Sequence, residues 1–280
     1  MDVNKNINIS SVYQLNVVKK YIDLFNRMYI DYDCIMQLDA DDIDEIAAIT
    51  AIYISLPVIY RNIHSHVYES ITKFVSDKPI KGVLVHDLDE LSWCIKNLED
   101  LDIVSDTHIY LHNTQSINTL KMLSDNKVSE AVLEYELSKS EFYKIVDGNK
   151  KADIKSCIIV YGRTPMMISD GCVKRTYNRC DKTRNFDDKN YIIDRYNHRF
   201  PVITDCNICT NIIYNDRPIS LINNMSFVDK LDVDSILINL TVESADEADI
   251  VIRAWVLEDE DAIASLKLVD STTGHLKRGV

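Results

Sequence analysis

Glycine is scarce in this chain, with six among 280 residues and none before Gly82. Neither GxxxxGK[ST] nor GxGxxG occurs, which excludes the phosphate-cradling loops of the common nucleotide-binding folds. Long apolar runs are missing too. The longest, Ile46–Tyr60, is too short to span a bilayer and contains Pro57. The opening residues MDVNKNINIS carry no apolar signal region, so a cytoplasmic protein with no membrane partner is expected. Positive charge is in deficit: the net charge of −13 argues against a surface that is basic all over. Seven cysteines is an odd number, and no secretory signal accompanies them, so a disulfide framework is not expected. What remains is ordinary globular material, 46% hydrophobic and 27% charged, long enough for one large core or two smaller ones.

Charge and thiols are unevenly placed. Gly162–Pro218 holds ten Lys or Arg against seven Asp or Glu, whereas the segments before and after it carry −9 and −7. A basic segment on an acidic body suits an anionic ligand or an RNA-like partner at one place, unless its arginines pair with neighbouring aspartates. The same stretch contains Cys172, Cys180, Cys206 and Cys209. The two-residue gap between Cys206 and Cys209 lets two thiolates of one knuckle face the same ion. The seven-residue gap between Cys172 and Cys180 is looser. Four thiols satisfy either tetrahedral zinc or a four-iron cluster, and spacing does not separate them. Lys174, Arg175, Arg179 and Lys182 are expected to lower the thiol pKa values. Cys34, Cys94 and Cys157 sit in apolar runs and read as small hydrophobes.

Around this stretch the chain alternates. Ile9–Ile30 reads as an amphipathic helix, making residues 1–30 an N-terminal arm. Short apolar runs then recur about every 25 residues over a core of 31–160: Cys34–Leu38, Ala51–Tyr60, Lys81–His86, Thr107–His112, Glu130–Tyr135 and Ser156–Tyr161. Amphipathic helices fall between them, one capped by Asp87. The cysteine-rich segment occupies 161–225. A last strand, Ser235–Thr241, with its helix and a polar tail fills 226–280. Seven strand–helix units predict an α/β fold, an incomplete or modified barrel with a cysteine-rich insertion before the last unit. A doubly wound sheet is the alternative. In a barrel, ligands meet the C-terminal strand ends. Those ends offer Arg61, Asn62, His86, Asp87, His112, Asn113, Glu134, Glu136, Tyr161, Arg163, Thr241 and Glu243, several of which also suit helix caps.

The motifs YGRTPMMISDGC (Tyr161–Cys172), Asp194–Arg195, Phe200–Pro201–Val202, Cys206-x-x-Cys209, Ile213–Tyr214–Asn215 and the ending Gly274–Val280 resemble the U-32 peptidase family, the collagenase-like proteases. The chain is similar to the C-terminal part of the longer members and lacks their N-terminal half with its own His- and Cys-bearing motif. The resemblance implies a barrel-like fold and a 4Fe-4S cluster on Cys172, Cys180, Cys206 and Cys209, with zinc as the alternative. It also implies a second chain that would supply the missing barrel half. Activities associated with the family are proteolysis, hydroxylation of RNA bases and anaerobic quinone hydroxylation. The expectation is a factor assisting hydroxylation of an RNA base or related aromatic substrate. Glu136, Tyr161 and Glu243 are then the candidate catalytic groups. Asn113, Arg175, Arg179, Arg195 and Arg199 would bind the RNA or anionic substrate. A collagenase-like protease and a non-catalytic zinc-stabilised module are the other readings. HExxH and GxSxG are absent, and no Cys–His–Asn arrangement is evident.

Overall fold

The structure is a computed structural model that describes residues 3–177, 180, 182 and 190–277. Short apolar, largely β-branched runs form its strands. The first seven are β1 (Asn4–Ile9), β2 (Arg27–Asp31), β3 (Ala51–Ser55), β4 (Gly82–Val85), β5 (Asp102–Ser105), β6 (Val128–Val132) and β7 (Lys155–Gly162). An insertion follows, with β8 (Pro165–Ser169), β9 (Asn190–Ile193), β10 (Arg199–Asp205) and β11 (Thr210–Tyr214). The chain then returns through β12 (Ile219–Ser220) to β13 (Ser235–Asn239).

Strands β1 to β7 pair in sequence and in parallel, β7 pairs with β13, and β13 pairs with β1. The result is a closed eight-stranded parallel barrel, which removes every sheet edge from the stave set. The insertion forms a separate antiparallel sheet in the order β8-β11-β10-β9.

The helices between staves are α1 (Val12–Val18), α2 (Tyr32–Ile35), α3 (Ala40–Ala47), α4 (Ser65–Asp77), α5 (Leu88–Asn97), α6 (Thr114–Leu123) and α7 (Lys139–Lys151). Then come α8 (Val173–Thr176) in the insertion, α9 (Met225–Val228), α10 (Ala245–Val256) and α11 (Glu260–Leu268). Side-chain caps start several of them: Ser11, Asp87, Asn113, Ser244 and Asp259 each accept a first-turn backbone N–H. No helix among the described residues is long and apolar enough to cross a membrane.

Alternation along the staves divides the core in two. Outward residues such as Ile7, Ile9, Ile30, Ile54, Val83 and Val85 pack against the helices. Inward residues Tyr29, Tyr53, Leu84, Val104, Val132, Ile159 and Leu237 fill the barrel. Below this apolar layer lies a polar plug. Arg27 pairs with Glu130, donates to the Tyr29 hydroxyl at 2.8 Å, and stacks 4.2 Å over the Tyr53 ring. Above it, at the C-terminal ends of the staves, the inward groups become hydrophilic, and there the barrel opens.

The barrel with its cysteine-rich insertion before the last unit follows the sequence reading, but closure corrects the stave count. Residues 1–30 are not a helical arm. They hold β1 and β2, joined by α1 and a 3-10 turn, Lys19–Leu24. In β1 the apolar Ile7 and Ile9 point to the helices while Asn6 and Asn8 point inward, a weak alternation in the sequence. Cys34–Leu38 is not a strand; it begins inside α2, a single turn at the barrel mouth. Thr107–His112 is also not a strand. The stave is Asp102–Ser105, and Thr107–Ile109 is a 3-10 turn. The eight staves all come from this chain, so no second chain is needed to complete the barrel. The tail is not wholly exposed. Leu276 is buried, its carbonyl accepts the Lys139 N–H at 3.1 Å, and Gly274 sits at φ 59° with the Tyr135 carbonyl too close to admit a Cβ.

Candidate functional site

The stave ends open into a cleft of about 800 Å³, counting its solvent-open part. Its floor carries Asn8, Ser55, His86, Asp106 and Asn239, and its wall is completed by the insertion through Pro165, Ile203, Asp205, Ile212 and Tyr214. The insertion sheet thus covers the mouth of the barrel, which is where α/β barrels place their chemistry.

His86 follows β4 and Asp106 follows β5. Asp106 Oδ2 lies 3.0 Å from His86 Nδ1 and 2.6 Å from His108 Nδ1, so one carboxylate oxygen serves two imidazoles. His86 Nε2 meets Ser55 Oγ at 3.2 Å. The His86 backbone N–H donates to buried Glu90 at 2.6 Å, and Glu90 also accepts the Tyr68 hydroxyl at 2.8 Å. Burial pushes the Glu90 carboxyl well above its ordinary range. Burial alone would do the same to Asp106, but the hydrogen bonds and charges of His108 and His86 outweigh it and hold the carboxyl far below the usual range. Burial opposes charging His108, yet its bond to Asp106 raises its pKa. Among the described residues, His86, Asp106 and His108 are the group of His, Cys, Asp or Glu whose ligating atoms all lie within 4.8 Å of one another.

Glu134, at the end of β6, is 3% exposed, and its Oε1 has no hydrogen-bond partner. Burial first, then the charge of Asp106, pushes its carboxyl up to about 9. A folded pKa above the unfolded value means that stability is fully present below the unfolded pKa and is lost as pH rises toward about 9. Glu134→Gln is therefore expected to raise the melting temperature at about pH 8 and leave it unchanged at about pH 4. Thermal melts of chelator-treated protein at the two pH values check this.

The insertion is laced to the barrel through Asp205. Its Oδ2 accepts the Tyr32 hydroxyl at 2.5 Å, while its Oδ1 accepts the backbone N–H of Asn207 at 2.9 Å and Ile208 at 3.3 Å. Asn207 also donates to Asp33 at 3.0 Å. This turn carries Cys206 and, at φ 54°, Cys209. Cys172 is buried at the start of α8, Cys206 is half-buried, and Cys180 and Cys209 are exposed. Burial pushes the Cys206 thiol up to about 11. Lys174 works in the expected lowering direction but is outweighed, and the neighbouring Asp205, Cys172 and Cys180 add to the rise. No three of the four sulfurs fall within 4.8 Å of one another.

The other predicted site residues are dispersed. Tyr161 and Glu243 do meet, with the hydroxyl donating at 3.5 Å, and Arg163 pairs with the same carboxylate at 3.4 Å. Glu243 also accepts the Thr241 N–H at 2.6 Å, so this buried group braces β7 against β13 beside the cleft. Asn113 caps α6 and Glu136 is exposed, both outside the cleft lining. Arg175, Arg195 and Arg199 are exposed on the insertion. Arg179 lies outside the described residues. Of the strand-end row, His86 and Thr241 line the cleft. Asp106, His108, Tyr32 and Asp205 escaped the sequence reading. The available signal was Asp-x-His one residue after the short apolar run Ile103–Val104, in parallel with His86 after Val83–Val85.

Among solved structures, the chain is similar to a candidate fructose-1,6-biphosphate aldolase from Coccidioides immitis, with 8% identity, 96% of this chain and 90% of that one covered, and a TM-score of 0.50. It is also similar to the spore cortex-lytic enzyme SleL of Bacillus megaterium QM B1551, with 8% identity, coverage of 88% and 72%, and a TM-score of 0.42. The first likeness is one of fold alone. No curated protein sequence matches. The profile of peptidase family U32 matches residues 37–185, from before β3 through β7 and into the insertion, and stops short of Cys206 and Cys209. That match spans more than half of the sequence, and the chain belongs to peptidase family U32.

Proposed function

We propose that this protein assists hydroxylation of an RNA base or a related aromatic ring held in the barrel-mouth cleft, with Cys172, Cys180, Cys206 and Cys209 holding an iron–sulfur cluster at its lip. The observation that carries the reading is the dual position of the Asp205 turn. Asp205 lines the cleft and bonds Tyr32, and the turn that it anchors carries Cys206 and Cys209. The donor set fits the group: four thiols, one buried, with two on a turn whose backbone is fixed by Asp205. A zinc tetrahedron would set its sulfurs about 3.8 Å apart, and no three of these thiols lie within 4.8 Å of one another. When bound, such a cluster supplies electron-transfer or Lewis-acid chemistry.

The protein's own residues would do the rest. Tyr32, Tyr135 and Tyr214 give the cleft flat aromatic walls for a planar ring, and Asn8 and Asn239 offer amide groups for its edge. A base would reach this depth unstacked from its strand. Arg175, Arg195 and Arg199 lie exposed on the same insertion, where they can neutralise phosphates outside the cleft.

The test is mass spectrometry of nucleosides from RNA of cells with and without this chain, and with a Cys206→Ser chain. The expected result is one nucleoside gaining a single oxygen only with the intact protein. An unchanged nucleoside profile, with cleavage of unfolded collagen by the pure protein, would overturn it.

A further inference from the structure

We infer that His86, Asp106 and His108 form a binding site for a divalent transition-metal ion, with open coordination positions facing the cleft. The inference stands apart from the thiol reading, because it uses different residues and donor atoms. Two imidazoles and one carboxylate converge from the ends of adjacent staves β4 and β5. At metal–ligand distances near 2.1 Å, neighbouring donors stand roughly 3.0 to 3.4 Å apart. The His86 Nδ1–Asp106 Oδ2 separation of 3.0 Å already has that length, and the His108 Nδ1–Asp106 Oδ2 contact of 2.6 Å needs to open by a few tenths of an ångström.

The surroundings suit a ligand set. With His86 bound through Nδ1, its Nε2 carries the proton and donates to Ser55 Oγ, now 3.2 Å away, which is the outer contact metal-bound histidines require. The Glu90 carboxyl fixes the His86 backbone N–H and so sets the ring's origin. All three donors line the cleft, so the remaining positions are reachable by water or by an oxygen or nitrogen atom of a bound molecule. Two nitrogens and one carboxylate oxygen favour zinc, iron(II), cobalt(II) or manganese(II) over calcium and magnesium, and the absence of sulfur separates the site from the cysteines. An ion held this way acts as a Lewis acid on whatever occupies the cleft.

Cobalt(II) titrated into chelator-stripped protein tests the site, since thiolate ligands give an intense charge-transfer band and nitrogen and oxygen ligands do not. One equivalent of cobalt is expected to bind without that band in the variant Cys206→Ala/Cys209→Ala, and to be lost in His86→Ala and Asp106→Asn built on it. X-ray absorption of the same complex should show imidazole scattering and no sulfur shell, a readout that needs no further variant to fold. Sulfur in the shell, failure of the cysteine variant to bind cobalt, or unchanged binding in a folded His86→Ala chain would overturn the assignment.

Discussion

Replacing Glu130 by Ala is expected to lower the melting temperature by roughly 10 °C. Glu130 and Arg27 are the heart of the polar plug beneath the barrel's apolar layer. Their side chains are 3% and 15% exposed, so neither charge can turn to water in its partner's absence. Without Glu130, Arg27 keeps the Tyr29 hydroxyl, the Tyr53 ring and a longer ion pair to the more exposed Asp102 at 3.7 Å. Ser235, whose hydroxyl bonds Glu130, loses its acceptor as well. Breaking a buried pair by removing one partner costs about 3 to 5 kcal/mol, and about 2 to 4 °C is lost per kcal/mol in domains of comparable size. The paired replacement Arg27→Met/Glu130→Leu should recover most of the loss, because it removes both charges together. Circular-dichroism melts of the three chains decide it. An Ala variant that melts with the wild type would mean that the plug is solvated.

The second large effect is expected at Asp205. Asp205→Ala removes the acceptor of the Tyr32 hydroxyl and of two backbone N–H groups in the turn bearing Cys206 and Cys209. The barrel keeps all eight staves, so its melting temperature should fall little. The turn loses its anchor, and groups that orient metal ligands are worth about 10- to 100-fold in affinity. Metal retention at the thiols should therefore drop by that factor in a chelator competition. Asp205→Asn keeps an amide oxygen for the turn and should restore most of it. If Asp205→Ala instead retains metal as well as the wild type, the turn does not depend on its anchor to the barrel.

The fold was legible where the pattern was strong. Val83–Val85 and Ser156–Tyr161 are dense β-branched or aromatic runs, and both became staves. Asn4–Ile9 was hidden because its inward face is asparagine, of which Asn8 lines the cleft. Asp102–Ser105 was hidden because it has two apolar residues, while the following THIYLH imitates alternation at the mouth. Both misreadings fall at or just before residues that line the cleft, where local preference yields to the polar mouth of the barrel. The thiol grouping could be suspected from spacing. The meeting of His86 with His108 left a fainter signal, the Asp-x-His that follows Ile103–Val104, because it depends on which residue ends β5. Asp205 and Tyr32 are 173 residues apart, and only barrel closure beneath the insertion brings them together.

Cys172, Cys180, Cys206 and Cys209 are proposed to carry an iron–sulfur cluster. The most direct measurement is iron and acid-labile sulfide per chain in anaerobically purified protein, beside a Cys206→Ser control. About four irons and matching sulfide, lost in the control, are predicted. Protein with neither iron nor sulfide under those conditions, whatever zinc it carries, would contradict it.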